Sequence, residues 1–139
     1  MDVQNTVNPA MRCRPADMSP QELGARGESR VADNLSLRGW EVTERNWTCP
    51  FGEADIIAYD GDTCVFVEVK TRLVPSFETR VYPEEAVDSQ KIERYERMAR
   101  FYMAQKGIDY VRFDVVGVSV IPEGMAHIHH VRDLFGCGV

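Results

Sequence analysis

Residues 53–70 read Glu-Ala-Asp-Ile-Ile-Ala-Tyr-Asp-Gly-Asp-Thr-Cys-Val-Phe-Val-Glu-Val-Lys. Two alternating runs rich in β-branched residues meet at an Asp-Gly turn signal, which predicts a β-hairpin. Opposite residues of an antiparallel pair share a face, and side chains alternate faces along each strand. With Gly61-Asp62 as a two-residue loop, glycine stands first, as a type II′ turn prefers. One face then carries Ala54/Val69, Ile56/Val67 and Ala58/Val65, all apolar. The other carries Tyr59/Cys64 and Ile57/Phe66, then Asp55/Glu68 and Glu53/Lys70. If Asp60-Gly61 is the loop instead, Asp55 faces Phe66 and Glu68 becomes its diagonal neighbour. Both registers leave Asp55 and Glu68 on one face, whereas a three-residue loop would separate them.

Two carboxylates that close, beside apolar side chains, repel each other. Such a pair raises one pKa or demands a cation. Hard divalent ions such as Mg²⁺ take carboxylate oxygens and keep several waters. Lys70 projects on the same side, where an ammonium meets a phosphate or polarises a water. The competing assignment is a solvated strand end, with Glu53/Lys70 an ordinary cross-strand ion pair.

At 139 residues the chain is expected to be one domain over 19–139, behind a disordered polar tail over 1–18 that contains Pro9 and Pro15. Hydrophobic content of 44% and charged content of 27% suit a globular protein. No apolar run approaches a membrane span, and the first residues lack the basic and apolar regions of a signal peptide. Cys13, Cys49, Cys64 and Cys137 have no metal-finger or CxxC spacing. Cys64, mid-strand, reads as a small buried hydrophobe, and the expected compartment is the cytoplasm. A net charge of −6 argues against bulk nucleic-acid affinity, although charge distribution matters more than the sum.

Outward from the hairpin, Ser19-Pro20-Gln21-Glu22 is a capping box with proline at the first helical position. Leu23, Gly27, Val31 and Leu35 form an apolar stripe, and Gly39 ends the helix. Gly24 and Gly27 are costly inside a helix, so close approach to a sheet is their expected use. Glu28 lies on the edge of that face; helix geometry alone makes it a solvated flank. Residues 40–47 alternate as a half-exposed strand, and 48–52 form a turn. The irregular stretch 71–82 carries Arg72, a candidate substrate contact. A second helix is expected over 83–106, with Ile92, Tyr95, Met98, Ala99, Tyr102 and Met103 as its core stripe. Lys91 sits on the rim of that stripe, within reach of the carboxylates. Arg94, Arg97 and Arg100 read as a solvated outer face. Residues 110–121 are apolar on both sides, as in a central strand covered on both faces. Pro122-Glu123-Gly124 turns into a last short strand over 126–131. His127, His129 and His130 have no carboxylate or cysteine at ligand spacing and read as exposed edge-strand histidines.

Asp, then Glu-x-Lys on the next strand, is the constellation of the PD-(D/E)XK nucleases, with Ala54 standing where that motif has proline. The order of elements resembles the restriction-endonuclease-like fold, and archaeal Holliday-junction resolvases in particular. That fold is an α/β three-layer sandwich, a central mixed sheet of about five strands with helices on both faces. More closely, Gly27-Glu28, Asn46, Gly52-Glu53-Ala54-Asp55, residues 66–72 (Phe-Val-Glu-Val-Lys-Thr-Arg) and Phe113-Asp114-Val115-Val116 resemble the YraN family of uncharacterised bacterial proteins, over roughly residues 20–135.

The nuclease resemblance implies a metal-dependent endonuclease hydrolysing DNA phosphodiester bonds, resolvase-like in choosing structured substrates. Asp55, Glu68 and the carbonyl of Val69 would hold Mg²⁺, or Mn²⁺ in its place. Glu28 would join through water, Lys70 would orient the attacking water, and Lys91 and Arg72 would contact substrate. Cutting two strands symmetrically would favour a homodimer. The alternatives are a nucleic-acid-binding module without turnover and a protein-interaction domain.

Overall fold

The computed structural model describes residues 14–135. Of the tail expected over 1–18, residues 1–13 lie outside the described residues, as do Cys13 and Cys137. Pro15–Asp17 form a short 3-10 turn with Pro15 buried. Helix α1 (Pro20–Leu37) follows, then antiparallel strands β1 (Glu41–Cys49), β2 (Gly52–Asp60) and β3 (Thr63–Leu73). A crossover holding a 3-10 turn (Pro83–Ala86) and helix α2 (Ser89–Lys106) leads to β4 (Arg112–Val120), and β5 (Ala126–Val131) returns beside it. The sheet order is β1-β2-β3-β4-β5, with β3 and β4 parallel and the other neighbours antiparallel.

The β2–β3 register pairs Asp60 with Thr63, Tyr59 with Cys64, Ala58 with Val65, Ile57 with Phe66 and Ile56 with Val67. Gly61-Asp62 is therefore the loop. Gly61 has φ +62, and Asp62 is not among the positive-φ residues, as a type II′ turn requires. Alternation along the strands divides the core into two layers. Ile56, Ala58, Val65, Val67 and Val69 pack with Val31, Ala32 and Leu35 of α1. Ile57, Cys64 and Phe66 pack with Tyr95, Met98, Ala99 and Tyr102 of α2. Strand β4 feeds both, with Val116, Val118 and Val120 in the first layer and Phe113 in the second. The result is the three-layer α/β sandwich expected from the pattern. Burial pushes the Cys64 thiol up to about 11, in keeping with a buried apolar role. No helix among the described residues is long and apolar enough to cross a membrane.

The capping box opens α1: Ser19 Oγ accepts from the Glu22 N–H at 3.1 Å, and Glu22 Oε1 accepts from the Ser19 N–H at 2.9 Å. The second helix departs from expectation. Residues 83–86 form only a 3-10 turn, Val87 is extended, and α2 starts at Ser89. Asp88 is the reason, since its Oδ1 accepts from the Lys91 N–H at 2.9 Å and caps a new helix there.

The two glycines of α1 differ. A Cβ on Gly27 would stand 1.8 Å from Thr71 Oγ1 of β3, whereas one on Gly24 would meet nothing within 4 Å. Gly27→Ala is expected to lose about 2 kcal/mol through overpacking. Gly24→Ala should gain up to ~1 kcal/mol through helix propensity. Urea midpoints of the two variants check this, and a Gly27→Ala protein as stable as wild type would mean that α1 does not rest on β3 there.

Candidate active site

The β2–β3 ladder runs from the turn to Ile56/Val67 and stops. Beyond that point β2 stays with β1, pairing Ala54 with Trp47, Glu53 with Thr48 and Gly52 with Cys49. The expected couple Ala54/Val69 is therefore not made. Ala54 packs in the α2 layer and Val69 in the α1 layer. The departure coincides with Asn46, which has φ +51 and lies between the rungs Arg45/Ile56 and Trp47/Ala54, at the level of Asp55. Asparagine tolerates that left-handed backbone, which bends a strand.

Asp55 and Glu68 lie one step past the last rung, both half-buried. With no rung to bind it, the Val69 N–H donates to Asp55 Oδ2 at 2.8 Å. A residue's N–H and C=O point to the same side of a strand, so the Val69 carbonyl faces the same gap. Glu68 is held from the other side by α2. Its Oε2 lies 3.1 Å from Lys91 Nζ, and its Oε1 accepts a short hydrogen bond from the Tyr95 hydroxyl. Lys91 and Tyr95 are four residues apart and so share a helix face.

Burial raises the pKa of Asp55 from 3.8 to about 7, and the charges of Glu68 and Glu28 add to the shift against the Val69 N–H, which lowers it. Glu28 is raised mainly by burial; Arg45 opposes, while Glu53 and Glu68 reinforce. Burial and the Glu68 charge also push the Tyr95 phenol up, so it keeps its proton and donates.

The structure thus brings Asp55, Glu68, the Val69 backbone and Lys91 together, with Glu28 within electrostatic range. Lys70 is half-buried on the Glu68 face, beside Gly117 of β4, with no ion pair among the described residues. Arg72 is exposed further along β3 and touches none of these groups. Among the described residues no three Asp, Glu, His or Cys side chains converge closely enough to share an ion. The donors that suit a hard cation are two carboxylates and one carbonyl, a set that leaves room for waters. Tyr95 was legible only as core stripe. The available signal was its hydroxyl, four residues after a lysine aimed at the same carboxylate.

A second polar cluster lies on the α1 face. Asp114, 1% exposed, receives Arg112 Nε and Nη2 at 2.9 Å each, His130 Nε2 at 2.7 Å and the Asp133 N–H at 2.9 Å. His130 Nδ1 is 3.1 Å from Arg38 Nη1, so it accepts there and Nε2 carries the proton donated to Asp114. His127 and His129 are exposed on edge strand β5, as expected, but His130 is half-buried against Trp40. Strand alternation explains this correction, because His130 sits opposite Val116 and shares its inward face.

With this geometry, the chain is an α/β sandwich bearing a carboxylate pair and a lysine where two central strands part. It belongs to the family described as "Uncharacterised protein family UPF0102", which matches residues 27–118. The span takes in Glu28, Asp55, Glu68, Lys70, Lys91 and Tyr95. A "UPF0102 protein" of Beutenbergia cavernae is 44% identical over 112 residues, covering 79% of this chain and 92% of that protein. One from Nocardia farcinica is 42% identical over 117 residues, covering 83% and 90%. A third, from Syntrophus aciditrophicus, is 43% identical over 114 residues, covering 81% and 87%.

Proposed function

We propose that the protein is a metal-dependent nuclease that hydrolyses phosphodiester bonds of DNA, built on a restriction-endonuclease-like arrangement. The observation that carries this reading is the Asp55/Glu68 pair. Folding places two carboxylates at a gap in the sheet, and burial with mutual repulsion holds Asp55 near pKa 7. A chain without use for a cation gains nothing from that arrangement. Asp55, Glu68 and the Val69 carbonyl would hold Mg²⁺ or Mn²⁺, with Glu28 reaching through water. Such an ion, when bound, supplies Lewis-acid stabilisation of charge on the phosphate.

The chain's own groups supply the rest. Lys70, on the Glu68 face and without an ion pair among the described residues, orients the attacking water and offsets phosphate charge. Lys91 holds Glu68 on its α2 side and presents a second cation to substrate. Tyr95 fixes the Glu68 rotamer by donating to Oε1. Arg72, exposed beyond Lys70, meets the substrate backbone.

The test is cleavage of labelled duplex, single-stranded and branched DNA with Mg²⁺, Mn²⁺ or EDTA, comparing wild type with Glu68→Ala. Metal-dependent products are expected from wild type and none from the variant. Products that persist in EDTA or in Glu68→Ala would refute the assignment. Binding without products under any condition would replace it with a nucleic-acid-binding module.

A further inference from the structure

Beside the carboxylates, the β1–β2 turn and the first half of α2 enclose a groove of about 500 Å³ lined by Pro50, Phe51, Gln90, Glu93, Arg94 and Arg97. Two of these residues face solvent, an aromatic ring and a guanidinium. Phe51 is 42% exposed, although its ring edge meets Phe101 at 6.2 Å between centroids. Arg94 is exposed and has no ion pair or hydrogen bond among the described residues. Its stem lies over Gly52, where an added Cβ would stand 3.0 Å from Arg94 Cδ and 3.1 Å from Met98 Sδ. The absence of a side chain at 52 thus seats Arg94 along the turn that bears Phe51. Glu93 is occupied by Arg97 at 3.0 Å, so among the described residues the groove lining carries one positive charge in excess.

The groove and the candidate active site share helix α2. Gln90 and Arg94 flank Lys91 on α2, and the Arg94 charge acts on Tyr95, which donates to Glu68. An exposed aromatic ring, an amide and one spare guanidinium match the parts of a single nucleotide: a base face to stack, a base edge to hydrogen-bond and one phosphate. Paired bases in a duplex offer only their edges in the grooves and keep their faces covered by stacking. A ring at a turn tip reaches such a face only by unstacking the duplex, a cost that an unpaired base does not impose.

We propose that this groove holds an unpaired nucleotide next to the scissile phosphate, so that the substrate carries a single-stranded segment at the cut. Phe51 stacks on the base, Gln90 reads its edge and Arg94 binds the phosphate. This rests on the nuclease reading for its position beside the cut, but its binding half is measurable alone.

The experiment is fluorescence anisotropy with a labelled 12-nucleotide single strand and the matching duplex, in EDTA and in Ca²⁺. It compares wild type with Phe51→Ala, Phe51→Trp and Arg94→Ala. Wild type is expected to prefer the single strand. Phe51→Ala should weaken single-strand binding about tenfold, the order that loss of one base–aromatic stack produces, and leave duplex binding within about twofold. Phe51→Trp should keep the affinity and show emission quenched by the single strand, which also controls for folding. Arg94→Ala should weaken binding and reduce the salt slope by roughly one.

Wild-type affinity in both Phe51→Ala and Arg94→Ala would overturn the proposal, as would a wild-type preference for duplex. Absence of any nucleic-acid binding would also overturn it and leave the exposed ring to a protein partner. If the single strand binds as described and Mg²⁺ yields no cleavage, the groove stands and the nuclease reading falls. Cleavage indifferent to both variants gives the reverse.

Discussion

Asp55→Asn is expected to stop the proposed cleavage and yet raise the stability of the metal-free protein at pH 8. The sign follows from the raised pKa. A carboxyl that titrates near 7 in the folded chain and near 3.8 as a free side chain binds its proton more tightly when folded. The neutral form contributes stability that is complete below about pH 4 and is lost as pH rises through 7. A shift of that size caps the effect at ~4 kcal/mol, and solvent screening at a half-buried group brings the expected gain nearer ~1–2 kcal/mol. Asparagine keeps an oxygen for the Val69 N–H, so the strand end should hold its shape.

Melting curves in EDTA at pH 5 and pH 8 measure this. The variant should gain on wild type only at the higher pH. Millimolar Mg²⁺ should raise the wild-type melting temperature at pH 8, since an ion bound only by the folded state stabilises it, and leave the variant unmoved. An Asp55→Asn protein less stable than wild type at pH 8 would mean that the carboxylate pair carries no strain.

Asp114→Ala should act in the opposite direction and harder. Burial pushes the Asp114 pKa up, but the hydrogen bonds from His130, Arg112 and the Asp133 N–H outweigh it and leave the carboxyl below its usual range. Its stability contribution is therefore present above pH 4 and lost as pH falls through the folded value. Removing it strands the Arg112 guanidinium, whose side chain is only 14% exposed, against Asp60 at 3.4 Å. Breaking a buried pair from one side costs about 3–5 kcal/mol. Melting should fall by roughly 10–20 °C. Trp40 reports the loss directly, since Arg38, Arg112 and Arg132 lie 5.3–5.6 Å from its ring. A melting temperature within 3 °C or so of wild type would show that the cluster is not a structural lock. The cluster lies on the α1 face and the carboxylate pair on the α2 face, so Asp114→Ala should retain Mg²⁺ binding below its melting temperature.

Most of the frame was legible because two periodicities and a handful of punctuating residues agree. The Gly61-Asp62 loop set the register, and alternation from it placed Asp55 and Glu68 on one face. Gly27 announced the close approach of α1 to β3. What escaped were places where a side chain replaces backbone or reaches across the fold. Asp88 starts α2 late by capping it, and pairing rules assumed a ladder that Asn46 and Asp55 end early. Tyr95 and His130 each looked like their periodic class, one core and one edge. In both cases the partner that redefines them is distant in sequence, 27 residues away for Tyr95 and 16 for His130. For Tyr95 the one trace inside its own element was its place four residues after Lys91, and for His130 spacing within β5 carries no such signal.

The connectivity also separates the acids from their counter-charge along the chain. Asp55 and Glu68 meet through a hairpin, whereas Lys91 and Tyr95 reach Glu68 only by way of the crossover between Leu73 and Arg112. Closing a short loop costs less chain entropy than closing that long one, and non-local parallel pairing is the slower event. During folding, the repulsion between the acids is thus built by nearby contacts, and its relief waits for the crossover to dock β4 beside β3.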